Sequence, residues 1–230
     1  TGRASWPAGL AESQKISRLN VSKDLLDILQ SLSKNQIKKV VTADESWFFL
    51  WYGADGKWTY GGIRPTNTKH KIGDEKVMFF TAFSISGIVL INVLPKNTTF
   101  TSEYFVTEIL PQLKSSSDNI SGVSRSIKLR LHMDNAKPHN SKMTNDKLIE
   151  LHIERLPQPA YSSDICPNDF FLYGYVKNKL KGHRFETRDD LIKAVIEIIE
   201  KIDKSIWISV FDMWIEKLKK VIENNGSYAT

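Results

Sequence analysis

Three aspartates stand in surroundings unusual for a surface acid: Asp44 in VVTADESWFF, Asp134 in LHMDNAKPHN and Asp169 in CPNDFFLYGY. Carboxylates that gather repel one another, and a cation relieves the repulsion; carboxylate and water ligands suit Mg²⁺ or Mn²⁺. Two such ions, about 3.5 to 4 Å apart, activate a water or a 3′-hydroxyl on one side of a phosphodiester and stabilise the departing oxygen on the other. The chemistry such a trio would serve is in-line phosphoryl transfer.

Each aspartate also has a plainer reading. Asp44 and Glu45 lie inside a strongly hydrophobic run, where an acid is costly unless it is paired or metal-bound. A wet sheet edge is the competing account, and the run by itself weighs the two equally. In SIKLRLHMD, Ile127, Leu129, Leu131 and Met133 alternate with Lys128, Arg130, His132 and Asp134, so Asp134 ends a polar face. Asn135 and Pro138 stop the pairing there, leaving the carboxylate at a strand end, although a lone aspartate before a turn is more often only a turn. Asp169 follows Pro167 and shares a helical face with Leu172, Tyr173, Val176 and Leu180, a face that should pack on a sheet. The helix dipole accounts for an acid in a first turn, but not for its place on the inward stripe.

The elements that must position these residues follow from periodicity. Glu12 to Leu32 reads as a helix, Val40 to Tyr52 as a strand and KWTYG as a short one. Val77 to Leu94 carries no charge over 94 − 77 + 1 = 18 residues, the length of a membrane span. Its Ser-Ile-Ser-Gly centre and β-branched content predict a hairpin turning near Ser86 and Gly87 instead. A helix over Thr101 to Leu113 precedes a Ser-rich linker, SSSDNISGVS, and the strand Ile127 to Met133. Then come a helix (Met143 to Leu151), a short strand (Ile153 to Leu156) and helices near Asn168 to Lys181, Arg188 to Ile202 and Ser209 to Asn224. Asn225 and Gly226 form a C-cap for the last. This order predicts an α/β, RNase H-like fold, with a mixed five-stranded sheet flanked by helices. No Gly-rich loop follows the first strand, so a doubly wound nucleotide-binding fold is unsupported.

Composition narrows the classes. The 230 residues suit one substantial core, and a net charge of +6 tilts the surface toward polyanions. The single cysteine, Cys166, excludes an intramolecular disulfide and any Cys-based zinc site, and its context does not activate a thiolate. TGRASWPAGLAESQK has no apolar h-region, so no secretory signal is expected there.

Four stretches, VVTADESWFFL, LHMDNAKPHN, LPQPAYSSDICPNDFFLYGYVKNKLKG and VFDMWIEKLKKVIENNG, together resemble the mariner-type transposases of the Tc1/mariner superfamily of DDE/D recombinases. Between Asp134 and Asp169 lie 169 − 134 − 1 = 34 residues, the family's second-to-third interval, and the third acid is the aspartate of mariner. The resemblance implies that Asp44, Asp134 and Asp169 are a metal-binding catalytic triad holding two Mg²⁺ or Mn²⁺ ions. It implies cleavage and strand transfer of double-stranded DNA at transposon ends and target, a homodimer in the active complex, no membrane, and action in the nucleus. It divides the chain into a linker and helical segment, 1–38, and a catalytic domain, 39–230. Asp164 occupies the place of a structural acid that holds the loop presenting Asp169. Gly53 to Gly73, with Lys57, Arg64, Lys69 and Lys71, corresponds to a loop that reaches the partner subunit and DNA.

The sequence also departs from the family. The two helix-turn-helix modules find no room in the chain, Trp6-Pro7-Ala8-Gly9 only partly matches the linker motif, and Thr-Ala-Asp and Ser-Ser-Asp replace Thr-Gly-Asp and Ser-Pro-Asp. Such drift leaves a second reading, a decayed or domesticated transposase-derived domain that binds DNA or protein without transposing. Lys137, His139, Lys177 and Lys179 complete the candidate DNA contacts, with His139 equally a structural hydrogen-bond donor. Lys177, Lys179 and Lys181 read as phosphate-tracking or as a solvated helix face. His132 and His139 are poor ligands for hard ions. Trp47, Trp51, Trp58, Phe48 and Phe49 could stack on bases, but packing in the core is expected for most.

Overall fold

The computed structural model describes residues 9–52 and 75–229. The chain opens with α1 (Glu12–Ser31), a 3-10 turn (Ile37–Lys39), β1 (Val40–Phe49), β2 (Lys76–Ser84) and β3 (Gly87–Val93). Next, α2 (Ser102–Tyr104) runs through a π-helical turn (Phe105–Ile109) into α3 (Leu110–Asp118). After β4 (Arg130–His132) come α4 (Lys137–Asn140), α5 (Lys142–Glu150) and β5 (Glu154–Arg155). A second π-helical turn, Asn168–Leu172, leads into α6 (Tyr173–Leu180), and α7 (Arg188–Glu200) and α8 (Lys204–Glu223) follow.

The strands form one mixed sheet in the order β3-β2-β1-β4-β5, antiparallel on the β2 and β3 side and parallel from β1 to β5. Strand pleating sends alternate residues of β1 to opposite faces, and each face is covered. Val40 and Phe48 join a core with Leu25 and Leu29 of α1, Val176 of α6, Val195 of α7 and Trp214 of α8. Val41 and Ala43 join the other, with Phe105, Ile109, Leu113 and Leu148. The result is a three-layer RNase H-like α/β domain, with the carboxylate-bearing strand at its centre.

Most predicted elements appear, and the differences have local causes. The stretch expected as a Ser-rich linker stays helical to Asp118, because Ser117 is buried and its carbonyl accepts from Lys39 Nζ at 2.5 Å. β4 is shorter than the alternation suggested: Val40 opposite Arg130 is the first paired residue of β1, and a 3-10 turn occupies the chain before it. α8 begins five residues before the expected Ser209, because Asp203 caps it by accepting from the Ser205 N–H at 2.8 Å. The uncharged run Val77 to Leu94 is the β2–β3 hairpin, and no described helix is long and apolar enough to cross a membrane. KWTYG, the basic loop with Lys57, Arg64, Lys69 and Lys71, Trp58 and all but Gly9 of the Trp6 motif lie outside the described residues.

Candidate active site

The parallel pairing of β1 with β4 brings the first two aspartates into register. Val40 faces Arg130 and Thr42 faces His132, an offset of 130 − 40 = 90 residues. Carried two residues further, the same offset sets Asp44 against 44 + 90 = 134, at the point where β4 has ended. Asp44 still lies within β1, opposite Thr81 of β2. Its neighbour Glu45 points to the other face of the pleat, which is why the two adjacent acids have different partners.

The third aspartate is anchored by the residue before it. Asn168 is fully buried; its Oδ1 accepts from Thr42 Oγ1 at 3.0 Å, and its Nδ2 donates to the carbonyl and hydroxyl of Thr81, both at 3.1 Å. This amide fastens the start of the helix to β1 and β2 at once. The inward stripe expected from the sequence is present, since Leu172, Tyr173, Val176 and Leu180 are all buried. Ligand atoms of Asp44, Cys166 and Asp169 lie within 4.8 Å of one another. Two carboxylate oxygens at such a separation can share one hexacoordinate cation.

Asp134 is fixed differently. Its Oδ1 accepts from the Ala136 N–H at 2.9 Å and pairs with His139 Nδ1 at 2.7 Å, leaving Oδ2 without a partner among the described residues. His139 is buried, and its Nε2 meets Glu45 Oε1 at 3.1 Å, so the ring bridges two acids and faces them rather than solvent. Arg155 supports the turn by donating to the carbonyls of His139 and Asp134.

The electrostatics follow from this placement. Burial, then the charges of Asp169 and Glu45, push the Asp44 carboxyl well above its ordinary range. Burial and the nearby charge of Asp134 raise Asp169 to about 6. Burial pushes Asp134 upward too, but the bonds from His139 and the Ala136 N–H outweigh it and hold the group below the usual carboxylate value. Burial opposes the charge on His139, yet Asp134 and Glu45 win and raise it to about 9, so at neutral pH it is an imidazolium. Burial lifts the Cys166 thiol far up, and as a neutral S–H hydrogen-bonded to Asp169 it is an unsuitable ligand for a hard ion.

Among the proposed DNA contacts, Lys137 and Lys179 are exposed, the latter with Nζ 5.8 Å from the Tyr175 ring centre. Lys177 turns inward, with Nζ donating to Ser46 Oγ at 2.8 Å and under the pull of Asp169 and Asp44. Phe48 is core, whereas Trp47 and Trp51 are exposed by 37% and 46%. Sequence reasoning passed over Arg18, which is wholly buried and forks onto Asp164 at 2.9 and 2.7 Å. Arg18 also donates to the carbonyls of Tyr161 and Gly226, tying α1 and the chain end to the loop before Asp169. No local pattern signals such a residue; it pairs across 146 positions.

No protein-family model matches the chain. Human histone-lysine N-methyltransferase SETMAR is 31% identical over 225 residues, covering 96% of this chain and 32% of that protein. The mariner Mos1 transposase of Drosophila mauritiana is 25% identical over 236 residues, covering 96% of this chain and 65% of the transposase. The chain is a homologue of both proteins. It spans about a third of the first relative and under two thirds of the second. The solved catalytic domain of Mos1 superposes with a TM-score of 0.79 at 22% identity, covering 96% of this chain and 98% of that domain. The Mos1 paired end complex with Mn superposes at 0.86 and 24% identity, covering 99% and 67%. Both have the same RNase H-like fold.

Proposed function

We propose that this mariner-like domain cuts DNA phosphodiesters, and in a complete protein joins the freed ends to target DNA, with Asp44, Asp134 and Asp169 as the metal-binding catalytic residues. The observation that carries the reading is the meeting of Asp44 and Asp169 at 4.8 Å or less, beside a strand register that directs Asp134 to the same sheet end. The donor set fits hard divalent ions: burial and mutual repulsion raise the carboxyl pKa values of Asp44 and Asp169 despite the nearby Lys177 ammonium, and Asp134 Oδ2 has no partner among the described residues. Two Mg²⁺ or Mn²⁺ ions, when bound, would lower the pKa of an attacking water or 3′-hydroxyl and stabilise the leaving oxygen. The chain's own part is to orient the acids: Asn168 fixes the helix carrying Asp169, His139 fixes Asp134, and the pleat fixes Asp44.

The solved Mos1 structures include a paired-end complex with left transposon end and a paired end complex with Mn, and these support the corresponding readings for this chain. Double-stranded DNA, a homodimer and a nuclear setting are the corresponding readings here. The segment 1–38 is read as linker and helix, and 39–230 as the catalytic domain. Lys57, Arg64, Lys69, Lys71, Lys137 and Lys179 are proposed to meet DNA phosphates. Lys177 and His139 are read instead as charge partners of the acids.

The test is nicking of a supercoiled plasmid in Mg²⁺ or Mn²⁺, with EDTA and Asp134→Ala as controls. Metal-dependent nicking confined to the unaltered chain is expected. Activity no greater than that of Asp134→Ala would leave the non-transposing reading in its place.

A further inference from the structure

Beside the carboxylates opens a cavity of about 540 Å³, lined by Asp134, Cys166 and Asp169 together with Pro159, Tyr161 and Tyr228. Tyr161 is its unusual wall. The residue is 65% exposed and has a φ of +55°, a left-handed conformation that is costly for a bulky aromatic and that a turn normally gives to Gly or Asn. Among the described residues its hydroxyl has no hydrogen-bond partner and its ring no aromatic or cationic neighbour, so no polar or ring contact holds the side chain.

The backbone, in contrast, is over-determined. Buried Arg18 donates to the Tyr161 carbonyl at 3.2 Å and to Ser162 Oγ at 2.6 Å, and Ser162 Oγ donates to the Ala160 carbonyl at 2.9 Å. Gln158 donates to the Ser162 carbonyl at 3.1 Å while its Oε1 accepts from His132 at 2.6 Å. Five residues of loop are thus fixed so as to hold one partnerless ring at the lip of the site. Local strain that persists because its surroundings impose it is a mark of functional positions.

We propose that Tyr161 is a stacking platform for a nucleobase, and that the cavity takes the nucleoside flanking the scissile phosphate. This rests on the DNA-cutting reading above and adds to it the part of the substrate recognised. A phosphate at Asp44, Asp134 and Asp169 leaves its neighbouring nucleoside at the cavity mouth, and a flat, polarisable ring free on its face is the surface on which any base can stack. The contact discriminates little between bases, so it orients the strand without reading its sequence.

The experiment uses nicked and blunt DNA duplexes with 2-aminopurine in turn on either side of the nick and at the ends. They are titrated with the full chain in Ca²⁺, with a gel to verify that the strands stay intact. Anisotropy follows binding, and fluorescence quenching follows stacking. One flanking position should be quenched several-fold by the unaltered chain and by Tyr161→Phe, but not by Tyr161→Asn, which should bind roughly tenfold more weakly. Because Asn tolerates the left-handed backbone, Tyr161→Asn should also melt at a higher temperature, whereas a tyrosine kept for structure would lose stability when replaced. DNA bound without quenching at any position, or quenching that survives Tyr161→Asn, overturns this inference alone. Failure to bind DNA at all overturns it together with the proposed function.

Discussion

Replacing Asp169 by Asn should stabilise the metal-free protein while removing its response to metal. The Asp169 carboxyl titrates near 6 against an ordinary 3.8, a difference of 6 − 3.8 = 2.2 units. A raised carboxylate pKa means that the stabilisation belongs to the protonated form: it is fully present below 3.8 and lost as pH rises through about 6. Above that, at about 1.36 kcal/mol per unit, the ionised side chain costs the fold roughly 3 kcal/mol. Asp169 is exposed on one side, so solvent screening reduces this to roughly 1–2 kcal/mol. Asn loses the favourable interaction of an acid with the helix N-terminus, about 0.3–1 kcal/mol, and the repulsion remains the larger effect. Asp169→Asn should therefore melt higher at pH 8 in EDTA, by roughly 2–4 °C per kcal/mol for a domain of this size, and show no gain at pH 4. Saturating Mn²⁺ should reverse the order, since a ligand at a hundred times its Kd adds about 2.7 kcal/mol to the unaltered protein. Differential scanning calorimetry at both pH values, with and without Mn²⁺, makes the comparison. An Asn variant less stable than the parent at pH 8 in EDTA, or a difference that ignores pH, would refute the reasoning and leave the helix dipole as the only role of Asp169.

Three other outcomes are expected. His132 is fully buried and burial holds it near 4 against an ordinary 6.5, so stability is lost as pH falls from 6.5 through 4, by roughly 3 kcal/mol in full. The stability gap between the parent and His132→Gln, measured by urea titration at pH 7 and pH 4, should narrow by about that amount. Arg18→Met leaves Asp164 buried without its guanidinium and should cost about 3–5 kcal/mol, with much of the loss recovered in Arg18→Met/Asp164→Leu; equal losses in both variants would argue against the buried pair. Gly226 has a φ of +84°, and an added Cβ would stand 1.9 Å from the Lys15 carbonyl oxygen, so Gly226→Ala should destabilise by on the order of 3 kcal/mol or more, measured by thermal melting.

How far the site was legible depended on the range of the interactions that build it. The inward stripe of Leu172, Tyr173, Val176 and Leu180 follows from helical spacing, and the break after Asp134 follows from Asn135 and Pro138, both local matters. The opposed fates of Asp44 and Glu45 were implicit in strand pleating, but which face held the site depended on the helices above it. His139 shows the limit: five residues after Asp134 it looked equally suited to DNA or to structure, and only the approach of Glu45 from β1 decided for the acids. Lys177 likewise read as a phosphate-tracking or solvated lysine until Ser46 gave its ammonium an inward partner.

By itself, then, the sequence determined where the strands and helices run, and that one acid falls inside a strand and two at element ends, because periodicity, caps and breakers act over a few residues. Tertiary structure decided what those acids meet. The 90-residue register between β1 and β4, the clamp of Asn168 on Thr42 and Thr81, and the hold of Arg18 on the loop before Asp169 each join segments far apart in the chain. Such pairings depend on which faces can be buried together, a property of the whole fold that no short stretch of residues contains.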